Sequence, residues 1–511
     1  MICLHSPVNR FLQTLCVGLL VIILLSAAPF IGVAEVEAEV TMPPVFGDHM
    51  ILQQGMTLPV WGSASPGESV SVSCSGRYAE TRADEAGHWR VTLRPLLTSF
   101  DEVNLVVNGN NRIEIHDVIV GDVWICAGEG NMQMPLSESS RANEGAALSD
   151  KALRFFDGAK WVLCSPESSA PFSAVGYFFA RDLRASTRLP IGMISCTSGS
   201  SPITSWMSRS ALGAPPSILP RKINADKHSG AERPSSLFQS LLAPVIPYAM
   251  TGVIWYQGES DEGAAALQYR RLLPRLIRDW RAHWGEGPFP FYAVSLAGFG
   301  SAEGPAVEPY EIVNNVGAGR QSSMSGATRR GWPWTREGIA SALTLPATGM
   351  AVATDLGAQD ERYPPDKLNV GRRLALLARH RVYGEKLLDM GPNYRGMKIE
   401  GNKIRVNFDL DSIGGGLTLG ISPSHVGGEG VEGNGASSLS TGLRGFAVAG
   451  SDHKWFAAQG GIDASSVLVS SDAVLHPVAV RYNWRGFPVG NLYNKEGLPT
   501  PPFRSDTDQP K

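Results

Sequence analysis

Close cysteine pairs are missing from this chain, and their absence removes one class of chemistry at once. Of six cysteines in 511 residues, Cys3 and Cys16 lie in the leading segment; Cys74, Cys126, Cys164 and Cys196 are scattered, without the spacing that clamps zinc. No metal or other cofactor site is therefore expected. The four thiols could form disulfides in three pairings or stay free and buried, and a chain this long needs no covalent staple. Excess charge is also missing: 45 Lys and Arg face 48 Asp and Glu, a net of −3. With no basic stripe to neutralise phosphates, nucleic acid is not an expected partner. Internal repeats are absent too, and no run after the first few dozen residues is long and apolar enough to span a bilayer.

What is present begins with an uncharged apolar stretch from Phe11 to Ala34, preceded by Arg10. Two readings fit it: a secretory signal over residues 1–38, or an uncleaved membrane anchor. Pro29 and the small residues Ser26, Ala27, Ala28 and Gly32 favour cleavage, with Ala34 and Ala38 as candidate positions. The remainder is then expected to be secreted or periplasmic, with no stable membrane insertion.

From residue 40 to 117 short alternating runs such as Leu58 to Trp61 and Trp89 to Leu93 are separated by turn signals at Pro66-Gly67 and Asn108-Gly109. This predicts an N-terminal β module. Over 118–390 the texture becomes α/β: apolar runs (Val123 to Cys126, Pro190 to Ser195, Gly252 to Tyr256, Phe289 to Leu296, Gly349 to Thr354) alternate with helical segments. That predicts a parallel sheet flanked by helices. One helix places Tyr269, Leu272, Leu273, Leu276, Ile277 and Trp280 on a single face, with a kink expected at Pro274; another runs from Val370 to about Arg381 and stops near Gly384. Residues 302–330 read as an insertion or mobile loop, and 391–511 as a C-terminal β segment with glycine-rich turns at Gly414 to Gly416 and Gly427 to Gly435.

Four blocks fall at the C-terminal ends of the expected strands, where open parallel sheets bind their ligands. They are Gly121 to Met132, Ser195 to Trp206, Gly252 to Asp261, and Asp355-Leu356-Gly357 with Asp360 to Pro364. Together with Val45 to Gln54 and Asn491 to Pro499, they resemble the sialate O-acetylesterases. That family is a branch of the SGNH serine hydrolases whose first block reads Gly-Gln-Ser-Asn-Met and whose third reads Trp-Tyr-Gln-Gly-Glu-Ser. The resemblance implies an SGNH-like α/β hydrolase domain, with N- and C-terminal β-rich segments forming a β-sandwich-like accessory module. It implies an O-acetylated sugar or glycan as partner and ester hydrolysis through a serine, a histidine and an oxyanion hole.

Residue by residue, that machinery is altered. Gly130 stands where the family has its serine, Glu129 where it has glutamine, and Glu361-Arg362-Tyr363-Pro364 where it has Asp-Ile-His-Pro. A glycine has no oxygen with which to form an acyl-enzyme, and a phenol accepts protons poorly at neutral pH. The resemblance carries the oxyanion or substrate pocket onto Gly130, Asn131, Gly199, Gln257, Gly258 and Glu259, with Ser200 in place of a second glycine. Two functions follow: a pseudoenzyme that binds carbohydrate, or an esterase that activates water through a carboxylate such as Glu129 or recruits another nucleophile. Ser198, Ser200, Ser201 and Ser260 read as turn or capping hydroxyls, Asp360 and Glu361 as loop charges, and His380 as a surface or packing residue.

Overall fold

The computed structural model describes residues 39–145, 149–213, 233–300, 331–420 and 442–508. The leader at 1–38, the insertion expected at 302–330 and the turn at 427–435 lie outside the described residues. The chain opens with β1 (Ile51–Gln53), β2 (Leu58–Ser63), β3 (Ser69–Cys74), β4 (Arg77–Arg82), β5 (His88–Leu93) and β6 (Ser99–Asn108). Alternation sets their faces: in β5, Trp89, Val91 and Leu93 are buried while His88, Arg90 and Thr92 face out.

The next strand, β7 (Arg112–Gly128), joins this region to the central sheet. Its first half pairs antiparallel with β6, and its second half runs parallel between two strands of the central sheet. Burial changes accordingly, from mixed positions to an unbroken buried run from Val118, the pattern of a strand covered on both faces. The step between residues 117 and 118 therefore falls inside one continuous strand.

The central sheet adds β8 (Asp150–Phe156), β9 (Trp161–Cys164), β10 (Ile191–Thr197), β11 (Gly252–Tyr256), β12 (Phe291–Ser295) and β13 (Thr348–Val352), in the order β13-β12-β11-β7-β10-β8-β9. All its pairings are parallel except β8 with β9. Because β10 and β11 flank β7 on opposite sides, the chain reverses its direction of growth there, and a crevice forms at the C-terminal ends of these three strands.

Helices α1 (Ala174–Thr187), α2 (Ala264–Trp284), α3 (Trp332–Ser341) and α4 (Lys367–Arg381) accompany the sheet. In α2 the expected face is inward, with Tyr269, Leu273, Leu276, Ile277 and Trp280 fully buried, and the helix continues through Pro274 for 21 residues. Helix α4 begins at Lys367, three residues earlier than the pattern suggests, because Asp366 caps it by accepting from Asn369 N.

The C-terminal part forms antiparallel sheets from β14 (Tyr394–Glu400), β15 (Lys403–Phe408), β16 (Leu417–Leu419), β17 (Phe446–Ala449), β18 (Trp455–Ala457), β19 (Gln459–Asp463), β20 (Ser466–Ser470), β21 (Ala479–Tyr482), β22 (Leu492–Asn494) and β23 (Phe503–Arg504). Their core, including Val406, Val448, Val467 and Val480, is distinct from the continuous core shared by the N-terminal strands and the central sheet. Arg336 of α3 binds the parts together, donating to the carbonyls of Leu296 and Ala297 and to those of Arg485 and Gly486. Cys74, Cys126, Cys164 and Cys196 are buried and form no disulfide with one another. Among the described residues, no helix is long and apolar enough to cross a membrane.

Candidate active site

At its C-terminal end β7 passes so close to β11 that a side chain on Gly128 would lie 2.0 Å from Tyr256 O; Gly128 also has φ +142°. Glycine is required there. The chain then turns into a short helical segment, Gly130–Gln133, with Glu129 extended at its start.

Glu129 is fully buried and reaches across all three turns. One carboxylate oxygen accepts from Gly258 N at 3.1 Å and Ser260 N at 2.9 Å; the other accepts from Ser201 N at 3.2 Å and Ser260 Oγ at 2.5 Å. Four donors from the loops after β10 and β11 thus converge on one side chain.

Gln257 and Gly258 are brought to the same spot, with their donors already engaged. The Gln257 amide nitrogen donates to Ser201 O and Asp261 Oδ2, and its oxygen accepts from Tyr269 OH at 2.8 Å. Burial pushes the Asp261 carboxyl up to about 7, although it also accepts from Ile203 N. Gly199 and Ser200 stay exposed at the mouth, with Ser200 at φ +50°.

Gly130 lies under Tyr363. A Cβ at Gly130 would sit 2.4 Å from Tyr363 Cε1 and 2.6 Å from Cζ, so the ring occupies the space a residue-130 side chain would need. Burial raises the Tyr363 phenol above its ordinary value, with Arg362 opposing and Glu129 and Glu259 reinforcing the shift. Glu361 is exposed and accepts from Tyr363 N at 3.3 Å. His380 makes its contact with Glu385 O on the far part of α4.

Asn131 lies between two buried ionisable groups, Glu259 and Lys367. Its amide nitrogen donates to Glu259 and to Arg362 O, and its oxygen accepts from Lys367 Nζ at 2.5 Å. Lys367 also donates to Pro364 O and lies 5.7 Å from the centre of the Tyr256 ring. Burial, reinforced by the facing Glu129, holds the Glu259 carboxyl well above its usual range. Burial likewise pulls the Lys367 ammonium down to about 7 against the attraction of Glu259.

Lys367 and Asp261 are absent from the site expected on sequence grounds. A signal for Lys367 existed: it opens a helix, where the macrodipole disfavours a cation unless something specific holds it. Asp261 carries no comparable local mark. Among the described residues, no group of His, Cys, Asp and Glu side chains is arranged to hold a metal ion.

Residues 120–325 match the family model of carbohydrate esterases described as sialic acid-specific acetylesterase. The mouse (Mus musculus) sialate O-acetylesterase is 29% identical over 441 residues, covering 71% of this chain and 77% of the mouse protein. The human (Homo sapiens) sialate O-acetylesterase is 28% identical over 387 residues, covering 67% and 70% of the two chains. The crystal structure of a carbohydrate acetylesterase from Xanthomonas citri superposes with a TM-score of 0.77 at 34% identity, covering 92% of this chain and all of that one. With the fold, the strand-end blocks and a relative of this similarity in agreement, the chain belongs to the sialate O-acetylesterase family of carbohydrate esterases.

Proposed function

We propose that this protein recognises an O-acetylated sugar or glycan on the family scaffold without hydrolysing it by the serine-histidine route. The observation that carries the reading is the Tyr363 ring standing 2.4 Å from where a side chain on Gly130 would begin. The two exchanges complement each other: loss of the hydroxyl creates space, and the phenol fills it. Gly130 supplies no attacking oxygen, and the raised phenol of Tyr363 is neutral at pH 7 and takes up no proton. Glu129 is a poor substitute base because its carboxylate already accepts four hydrogen bonds, which leaves no lone pair directed at a water. The Gly258 N–H and the Gln257 amide are likewise engaged, so an oxyanion beside them would have to displace existing bonds. Export through the residue 1–38 leader, to the periplasm or beyond, completes the proposal.

The test is acetate release from 4-nitrophenyl acetate and from O-acetylated sialic acid. The wild-type protein is expected to stay at the buffer rate, whereas loss of a triad member from an active relative removes about 10⁴ to 10⁶ of rate. Turnover that disappears in Glu129→Gln would overturn the reading in favour of a carboxylate-activated water. Gly130→Ser alone is expected to remain silent because the ring blocks it, and Gly130→Ser with Tyr363→His is expected to gain activity. Calorimetric binding of the acetylated sugar, weaker for its deacetylated form, is the expected positive sign, and the mass of the exported protein checks the leader.

A further inference from the structure

A cavity of about 60 Å³ lies between the end of β13 and the C-terminal sheets, lined by Thr354, Asp355, Arg444, Tyr482, Asn483 and Phe487 among others. It borders the Thr354 to Gly357 stretch, on the ligand-binding side of the central sheet and in the loop that leads on to Tyr363. Arg444 is its unusual member. Among the described residues, its guanidinium makes no hydrogen bond or ion pair, and its Nε is shielded from solvent.

The other charged group at the cavity wall is already neutralised. Asp355 is held by both arms of Arg373, at 2.6 and 2.7 Å, and also accepts from Tyr493 OH at 3.1 Å. The net charge offered to the cavity therefore comes from Arg444. A shielded guanidinium donor left without an acceptor is costly, and a planar fork of N–H groups matches a carboxylate in shape as well as charge. By volume, the space admits a group of a few heavy atoms.

We propose that this cavity is a carboxylate-binding subsite in which Arg444 receives a small carboxylate or the carboxylate substituent of an acidic sugar. In the second case the subsite deepens the proposed function, and that part alone depends on sugar recognition. The first needs only the cavity and the arginine, whether or not the protein hydrolyses esters.

Binding is measured by calorimetry on the full chain at constant ionic strength, with acetate, N-acetylneuraminic acid, its methyl ester and N-acetylmannosamine as titrants and chloride as the anion control. The free acids are expected to bind, and the ester and the neutral sugar to bind about tenfold more weakly or worse. Acetate binding as well as the acidic sugar would identify a free-carboxylate site; binding of the acidic sugar alone would identify a sugar substituent. Arg444→Gln is expected to lose at least about tenfold in affinity for the acid that binds, and Arg444→Lys to keep part of it, with circular dichroism confirming both folds. Unchanged affinity in folded Arg444→Gln, equal binding of acid and methyl ester, or no carboxylate binding to the wild type would each overturn the proposal.

Discussion

Two buried carboxyl and cation settings lie at the C-terminal ends of the same sheet, and they differ in whether the partners touch. At the sheet edge, Asp355 meets Arg373 directly through two parallel hydrogen bonds. At the centre, Glu259 and Lys367 are separated by the amide of Asn131, which takes one on each side. Burial pulls Arg373 down, but the charge and hydrogen bonds of Asp355 more than offset it, and the guanidinium ends above its ordinary value. In the relayed pair burial prevails: Glu259 rises well above the carboxylate range and Lys367 falls to about 7. Direct bidentate contact preserves buried charge, whereas an interposed amide allows both partners to move towards neutrality.

The largest expected effect comes from breaking the direct pair. Arg373→Ala removes the cation from buried Asp355 while Tyr493 OH still donates to it, and destabilisation of about 3 to 5 kcal/mol is expected in urea unfolding. A loss below about 1 kcal/mol would show that the two settings do not differ as described.

The relayed pair is broken less severely and is better probed by pH. Because the folded-state ammonium of Lys367 titrates near 7 and the unfolded one near 10.5, the unfolded chain binds the extra proton between those values. Stability from this group therefore rises with pH across about 7 to 10.5, by up to about 1.4 kcal/mol per pH unit. Glu259 has the opposite sign, since its folded form keeps a proton that the unfolded chain has released, and its contribution falls as pH rises above the ordinary carboxylate range. Lys367→Met should make the slope between pH 7 and 9.5 less positive than in the wild type, read in denaturant midpoints. A slope identical to wild type would sink the assignment.

The contrast also explains which parts of the molecule were legible in its sequence. Apolar runs identify β10, β11 and β13, and the one-sided pattern of Tyr269 to Trp280 identifies α2, because burial on one or two faces leaves a local periodic trace. The continuity of β7 across residues 117 and 118 leaves no such trace, since a strand can exchange partners without changing residue type. The replaced positions Gly130 and Tyr363 could be located through family motifs, but not the contact between them, which joins residues 233 apart. The four donors around Glu129 come from Ser201, Gly258 and Ser260, and their convergence depends on how three turns pack.

The smallest expected effect sharpens the comparison from within the central cluster. Glu129 faces Glu259 and contributes to raising it, so Glu129→Gln removes a like charge while keeping the shape of the side chain. The Gln oxygen can still accept from Gly258 N and Ser260 N, and the Ser260 hydroxyl can turn to accept from the new amide. Only Ser201 N–H, at 3.2 Å, then faces another donor. Loss of one charge-assisted bond and relief of one repulsion act in opposite directions, so a net change within about 1 kcal/mol is expected in denaturant unfolding. The Glu259 carboxyl should move back towards its ordinary value, which carbon-13 carboxyl NMR would read directly. If Glu259 keeps its elevated titration in this variant, desolvation alone sets it, and the neighbouring charge has no part in the difference between centre and edge.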